Sequence, residues 1–279
     1  MAKRMKPLKE LNLTNRFLFD EVMSDPMTHR DALSIIFNRD IPLLEYNETE
    51  KEGRLTPLIR SIRMDVYAMD EESAVYNTEM QNEWKSDLAK RSRYYQALVD
   101  TGLIEPGIPN YNILNESYII IIMTFDFFGQ GKYVYTFKPS CQEVPGLVLK
   151  DGATRIFLNT KGKNDDEVSK ELVDFLHYLE DTTDEKVKQI ESDRIKRIHE
   201  RVCKVKINEE VGVKYMQAWE EKYYAKEEGR EEGREELLME QIEKKLAKGK
   251  TKEEIAAELE TVVEVIEKLM EKMKESVAE

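Results

Sequence analysis

The stretch RSIRMDVYAMDEESAVYNTEMQNEW, residues 60–84, sets the fold prediction for the chain. Apolar and polar residues alternate on both sides of the acidic turn at residues 70–73, which is the period-two pattern of half-buried β-strands. We therefore predict a β-hairpin. A three-residue loop or a bulge makes paired residue numbers sum to 144, so that Asp65 lies opposite Glu79; a two-residue loop puts them on opposite faces. We expect the first register, because it also gathers the apolar residues on one face.

Acidic and amide side chains share one face of the hairpin in this register. Glu79 and Gln81 point the same way because they lie two residues apart on a strand, and Asp65 joins them. Two carboxylates at the ~5 Å spacing of cross-strand partners repel each other, and a divalent cation such as Mg²⁺ removes that conflict. The trio suits metal-assisted phosphodiester hydrolysis. The spacing alone also fits the solvent face of an ordinary hairpin, which is the commoner case.

The segments around the hairpin predict an α/β fold in which a mixed central sheet is flanked by helices. Residues 118–125 are apolar without alternation, which indicates a strand buried on both faces. Residues 41–46 are predicted to be extended and residues 47–56 to form a polar loop. We predict further strands over residues 132–138 and 154–159, and helices over residues 13–23, 26–37, 87–102, 165–179 and 184–208.

The composition changes near Tyr224, where the charged run KEEGREEGREE at residues 226–236 lacks an apolar face and is typical of a solvated helical linker. Residues 248–269 of the tail have the pattern of a helix-turn-helix, but glutamates on the second helix suit phosphate contacts badly. We therefore favour a small helical or oligomerisation tail. The predicted divisions are residues 1–183 as a core, 184–224 as basic and amphipathic helices packed on it, and 225–279 as linker and tail.

The formal net charge of −13 gives no global attraction to nucleic acid, so contact with DNA requires a local basic surface. Two clusters provide candidates for DNA-backbone contacts: Lys90, Arg91 and Arg93 in one predicted helix, and Arg194, Arg197 and Arg201 in another. For both clusters, ion pairs with nearby acids are an open alternative.

The two cysteines, Cys141 and Cys203, lie in no CxxC motif, and we identify no Cys/His ligand spacing, so we expect no structural zinc. His177, alone on a predicted helix, is expected to be structural. The N-terminus lacks the apolar core of a signal peptide, and no apolar run is long enough to cross a bilayer. We therefore expect a cytoplasmic protein with no membrane partner.

The order of these pieces resembles the PD-(D/E)XK nuclease superfamily, and more closely its transposase-derived branch, the Rpn group of recombination-promoting nucleases. The resemblance is carried by RSIRMDVYAMDEESAVYNTEMQ, KRSRYYQALVD, YIIIIMTF, the helix from residue 165 and the EEGREEG tail. It implies a restriction-endonuclease-like core with a helical C-terminal extension. The family's metal-binding acids fall on Asp65 and Glu79. Its usual lysine falls on Gln81, and its first-helix acid corresponds loosely to Glu21.

The resemblance also implies a Mg²⁺-dependent, or Mn²⁺-dependent, DNA endonuclease that acts in the recombination of mobile elements. Two positions depart from the pattern: Met64 precedes Asp65 where proline is common, and Gln81 lacks the positive charge of lysine. Arg91 or another cation would have to supply that charge. Two alternatives stay open, namely an inactive DNA- or partner-binding remnant, and an oligomeric scaffold that self-associates through the C-terminal helices.

Overall fold

The computed structural model describes residues 5–53, 62–104, 107 and 109–276, which divide into two compact units, Met1–Val213 and Lys214–Glu279. The strands are β1 (Leu44–Gly53), β2 (Ile62–Asp70), β3 (Val75–Gln81), β4 (Ser117–Met123), β5 (Val134–Phe137) and β6 (Ala153–Asn159). The helices are α1 (Arg16–Met23), α2 (Pro26–Phe37), α3 (Leu88–Leu103), α4 (Lys170–Glu180), α5 (Asp184–Val187), α6 (Asp193–Ile207), α7 (Glu209–Leu246), α8 (Lys252–Glu258) and α9 (Val263–Ser276).

The first unit is built on a mixed sheet whose described strands lie in the order β1-β2-β3-β4-β6-β5. Strands β1, β2 and β3 pair antiparallel, whereas β3, β4 and β6 pair parallel and β5 returns antiparallel to β6. The parallel strands place β4 inside the sheet, as its uninterrupted apolar sequence predicts. The α/β fold class with a mixed sheet and flanking helices is therefore confirmed.

The hairpin between β2 and β3 has the predicted register. Val66 pairs with Thr78, and Ala68 pairs with Tyr76, so the residue numbers of each pair sum to 144. The Asp70 carboxylate organises the turn, because its Oδ1 atom accepts hydrogen bonds from the backbone nitrogens of Glu72 and Ala74 at 3.0 and 2.9 Å. A connection longer than two residues thus fixes which side chains share a face.

Both faces of this hairpin are buried, so the prediction of half-buried strands was wrong. Helix α2 covers the Tyr76 face, where the rings of Phe37 and Tyr76 lie 5.8 Å apart. Helix α3 covers the opposite face, and its buried Tyr95 belongs to the same apolar cluster as Ile119 and Ile121 of β4. Alternation misleads here because polar side chains in β2 and β3 are buried together with the apolar ones.

Several element boundaries follow local signals, and others differ from the prediction. Helix α2 begins at Pro26 as predicted, because the Asp25 side chain accepts from the backbone nitrogen of Thr28. The predicted polar loop was wrong over residues 47–53, which belong to β1 and pair with β2; residues 54–56 lie outside the described residues. The predicted helix at 184–208 is two helices, because Ser192 caps a new start at α6.

Helix α4 also begins later than the predicted residue 165, because the Ser169 side chain caps it by accepting from the backbone nitrogen of Leu172. Helix α3 begins at Leu88, one residue after the predicted start. Helix α1 begins at Arg16, later than the predicted residue 13, and Asn15 is its N-cap. These are shifts of boundary and leave the predicted order of helices and strands intact.

The second unit has its own small core, formed where α8 and α9 pack with the end of α7. Its buried members are Ile242, Ile255, Ala256, Ile266 and Leu269. Thr251 and Glu254 form the reciprocal capping box that starts α8. The run at residues 226–236 is helical and lies within α7. The sequence-based divisions at residues 183 and 224 stay predictions. Among the described residues, no helix combines the length and apolar character that crossing a membrane requires.

Candidate active site

The structure brings the Asp65 and Glu79 carboxylates together on the sheet face beneath α3. The described backbone pairing of β2 with β3 ends at Val66 and Thr78. Beyond this pair, side-chain carboxylates accept hydrogen bonds from the backbone of the neighbouring strand. Glu79 Oε1 accepts from the backbone nitrogen of Asp65 at 3.1 Å, and Asp65 Oδ2 accepts from the backbone nitrogen of Met80 at 3.0 Å. Asp65 is 1% exposed and Glu79 4% exposed. The pair is therefore a buried feature and not a solvent-facing one.

Two negative charges in this buried pair are unfavourable, and a bound cation would offset them. Burial, and then the negative charge of Asp65, raise the pKa of Glu79 well above its usual range. The side-chain nitrogen of Asn77 lies 3.4 Å from Glu79 Oε1, while the buried Asn77 Oδ1 has no hydrogen-bond partner among the described residues. This cluster of carboxylate and amide oxygens has the hard donor chemistry that Mg²⁺ and Mn²⁺ prefer.

Arg16 at the start of α1 pairs with Asp65 through its guanidinium group. The same group lies 3.6 Å from the carboxylate of Asp20, one helical turn further along. Burial lowers the pKa of Arg16, but the charges of Asp65, Asp20 and Glu79 outweigh it and raise that pKa above its ordinary value. Since the Arg16 side chain is 48% exposed, it forms the boundary between the buried carboxylates and solvent.

Gln81 lies at the partly exposed end of β3 beside Arg91 of α3. Arg91 donates from Nη2 to Gln81 Oε1, and its guanidinium carbon lies 5.6 Å from the centre of the Tyr95 ring. Tyr95 in turn feels the charge of Glu79, which, after burial, raises its pKa. Helix α3 therefore brings the Arg91 guanidinium and the Tyr95 phenol towards the carboxylate pair. The hydrogen bond between Arg91 and Gln81 connects α3 to β3.

Glu21, the loosely placed fourth catalytic candidate, lies in α1 with Arg16. Its backbone oxygen accepts from Ser24 Oγ at 2.7 Å and from Arg201 Nη2 at 3.4 Å. The neighbouring acid Asp20, which is 6% exposed, lies on the Arg16 side. A catalytic role for Glu21 stays a prediction. Arg16 and Asp20 were missed, although their i,i+4 spacing at the start of a predicted helix signals an ion pair.

The basic candidates separate into two groups. Lys90 and Arg93 are exposed on α3, whereas Arg91 points towards Gln81. In α6, Arg197 makes two hydrogen bonds to the Asp31 carboxylate, at 2.8 and 2.7 Å, and Arg194 pairs with Asp40 and Glu171. For Arg194 and Arg197 the geometry favours the ion-pair alternative. Contact of Arg201 with DNA stays a prediction, and so does contact of Arg194 and Arg197 with DNA.

A family model described as "PD-(D/E)XK nuclease family transposase" matches residues 31–231. The matched range contains Asp65, Glu79, Gln81 and Arg91, and it excludes Arg16 and Glu21. Comparisons with curated proteins and with solved structures gave no significant match. Nucleases of this class typically use divalent metal ions. The mixed sheet with flanking helices is consistent with the class fold, and the match spans most of the chain. The chain therefore belongs to the PD-(D/E)XK nuclease family transposases.

Proposed function

We propose that the protein is a DNA endonuclease that hydrolyses phosphodiester bonds with a divalent cation, Mg²⁺ or Mn²⁺, held by Asp65 and Glu79. The observation that supports this most directly is the pair of carboxylates, buried on one sheet face and each bonded to the backbone of the other's strand. A nuclease family supports the reaction class. The presence of two acids in one buried site supports a cation as cofactor, because like charges are costly there without one.

Each side chain has a role in this proposal. Asp65 and Glu79 supply the metal ligands, and Gln81 orients the attacking water through its amide group. Arg91, which is bonded to Gln81, contributes the positive charge that Gln81 lacks. Glu21 is proposed to assist from α1. When bound, the cation would lower the pKa of a coordinated water and offset the charge that develops on the phosphate.

Access to the carboxylates passes Arg16. Because this side chain is half-exposed and flexible, it can turn outward when a cation takes over the neutralisation of Asp65. Lys90 and Arg93 are exposed on α3, the helix whose Arg91 is bonded to Gln81. We propose that they hold the DNA backbone, which supplies local positive charge to a chain whose net charge is −13.

The test is nicking of supercoiled plasmid DNA by the full chain with and without Mg²⁺ or Mn²⁺. Wild-type protein is expected to nick only with a divalent ion, and Asp65→Asn is expected to lose at least about 100-fold of that rate. The matched control is Asp70→Asn, another buried acid of β2 that is 1% exposed and organises the turn. Circular dichroism confirms that each variant is folded. Equal nicking by Asp65→Asn and wild type would reject the proposal.

One observation favours the alternative of an inactive DNA-binding remnant: the Arg16 guanidinium pairs with Asp65 and supplies positive charge to the carboxylates. That alternative predicts DNA binding that does not respond to divalent ions and no nicking by wild-type protein. An oligomeric scaffold would instead show self-association that disappears on truncation after Tyr224, and no effect on DNA. The plasmid assay, combined with a gel-shift measurement, distinguishes all three.

A further inference from the structure

A second cluster of ligand-type side chains lies outside the candidate active site, where α5 meets α6. Asp184, His199 and Cys203 each offer one ligand atom, and these three atoms all lie within 4.8 Å of one another. His199 and Cys203 are four residues apart on α6, so they share one helix face. Asp184 is the first residue of α5, and Thr183 fixes it there by capping that helix. The sequence HERVC carries this spacing, so the expectation that the chain has no Cys/His ligand spacing was wrong.

The ligand-type atoms of the cluster converge on one ring nitrogen. His199 Nε2 lies 3.1 Å from Asp184 Oδ1 and 3.5 Å from Cys203 Sγ. In the tautomer that is protonated at Nδ1, Nε2 directs a lone pair towards the carboxylate and the sulfur. A cation at this point would accept that lone pair, the thiolate and the carboxylate together.

The two distances from His199 Nε2 also match the geometry of a tetrahedral metal. With metal bonds of about 2.0 Å to nitrogen and oxygen and about 2.3 Å to sulfur, tetrahedral ligands lie about 3.3 Å apart for the nitrogen–oxygen pair and about 3.5 Å apart for the nitrogen–sulfur pair. We propose that Asp184, His199 and Cys203 bind a borderline-soft divalent ion of the Zn²⁺ class. Thiolate and imidazole ligands select such an ion over Mg²⁺, which prefers oxygen.

The surroundings support a ligand role for His199. The hydroxyl of Tyr178, a fully buried residue of α4, lies 2.8 Å from His199 Nδ1. A hydrogen bond at Nδ1 fixes the ring and leaves Nε2 for the metal, which is the usual arrangement around a metal-binding histidine. The Asp184 side chain is 72% exposed, whereas that of His199 is 13% exposed. The site is therefore anchored on α4 and α6 and open to solvent at Asp184, where a water completes the coordination.

The test is metal binding by the full-length, chelator-treated protein. Titration with Zn²⁺ against a chromophoric chelator is expected to reveal one tight equivalent. Titration with Co²⁺ is expected to give the near-ultraviolet charge-transfer band of a cobalt–thiolate bond. Cys203→Ser and His199→Gln are expected to weaken Zn²⁺ binding at least about 100-fold and Tyr178→Phe about 10-fold. The matched control is Cys141→Ser, which changes the chain's other cysteine and is expected to bind like wild type.

Two further outcomes separate this site from the candidate active site. Asp65→Asn is expected to keep the Zn²⁺ equivalent and the cobalt–thiolate band, and millimolar Mg²⁺ is expected not to displace the ion. The proposal is overturned if folded Cys203→Ser binds Zn²⁺ as tightly as wild type, if the cobalt band is lost in Cys141→Ser instead, or if wild-type protein binds no equivalent of Zn²⁺ at all.

Discussion

Glu79 Oε1 lies 3.1 Å from the backbone nitrogen of Asp65 and accepts its hydrogen bond. This contact places the glutamate between two strands where an ordinary antiparallel ladder would use a carbonyl oxygen. It also holds together two carboxylates that are both buried, with 1% of Asp65 and 4% of Glu79 exposed. Arg16 is the cation that offsets them in the described structure. We therefore expect the charges that would bind a metal to lower the stability of the metal-free protein. The predictions for Glu79→Gln and Arg16→Ala test this relationship.

Glu79→Gln is expected to stabilise the metal-free protein while removing its response to Mg²⁺. The amide oxygen can still accept from the Asp65 backbone, but it carries no charge to bury. We expect a gain of about 1 kcal/mol in the free energy of unfolding at pH 8, or about 2–4 °C in Tm. Differential scanning calorimetry with and without Mg²⁺ measures both effects.

The pH dependence of that gain follows from the raised pKa of Glu79. A carboxyl whose pKa is higher in the folded than in the unfolded state stabilises the fold less as pH rises through the interval between the two values. The advantage of Glu79→Gln is therefore expected to grow from pH 5 to pH 8. Asp87→Asn, at an exposed acid near α3, is the control. A constant or shrinking advantage would contradict the assignment.

Arg16→Ala is expected to destabilise the metal-free protein and to make Mg²⁺ more stabilising. Removal of the guanidinium takes away the cation that pairs with the buried Asp65. We expect this to lower the free energy of unfolding by about 1–2 kcal/mol, because solvent screens the half-exposed Arg16 and reduces the loss. The increase in Tm caused by Mg²⁺ should then exceed that of wild type, because the ion no longer competes with Arg16. Arg93→Ala, an exposed arginine of α3, is the control and should show the wild-type response.

The double variant Lys90→Ala/Arg93→Ala is expected to weaken DNA binding uniformly across sequences. Each phosphate contact contributes about 0.9 to the slope of log affinity against log salt, so the slope should fall in magnitude by about 2. Fluorescence anisotropy on duplex DNA between 50 and 200 mM salt measures this. The comparison variant is Arg194→Ala/Arg197→Ala, whose ion pairs face Asp40, Glu171 and Asp31. That variant should lose stability more than it loses affinity.

His29 is expected to make the fold sensitive to acid. Burial lowers its pKa to about 4, and its ring nitrogens are bonded to Asn47 Oδ1 at 2.7 Å and Thr78 Oγ1 at 3.0 Å. The unfolded chain takes up the proton below about pH 6.5 while the folded chain does not, so the contribution of His29 to stability falls by about 2 kcal/mol from pH 7 to pH 5. Glu79 contributes with the opposite sign over this interval, so the His29 contribution is read as the difference between wild type and a variant without the imidazole. Urea unfolding at the two pH values measures the loss.

The control for His29 is His29→Gln, which keeps hydrogen-bonding groups but does not titrate in this range. The variant is expected to be less stable than wild type at pH 7 and to lose about 2 kcal/mol less than wild type when the pH falls to 5. If both proteins lost the same stability, the acid sensitivity would belong to other groups.

Much of the fold was predictable because local patterns carry it. Period-two alternation marked β2 and β3, an uninterrupted apolar run marked β4, and the Asp25–Pro26 pair marked the start of α2. The register whose paired residue numbers sum to 144 was predicted from the apolar residues that it gathers on one face, and the pairs of β2 and β3 confirm it. The start of β1 lies in the segment predicted to be extended, but its residues 47–53 were missed. They are mostly polar and charged, a composition that favours loops unless a neighbouring strand supplies the backbone hydrogen bonds.

The sequence by itself determined the order of helices and strands, the family, and the presence of two acids at positions that one hairpin register unites. Only the tertiary structure decided that these acids are buried, that Arg16 of α1 neutralises one of them, and that Asp184 meets the His199–Cys203 pair. The physical reason is that burial and ion pairing arise between elements that are distant along the chain. Alternation within a strand shows which side chains share a face, but what covers that face depends on helices elsewhere in the sequence.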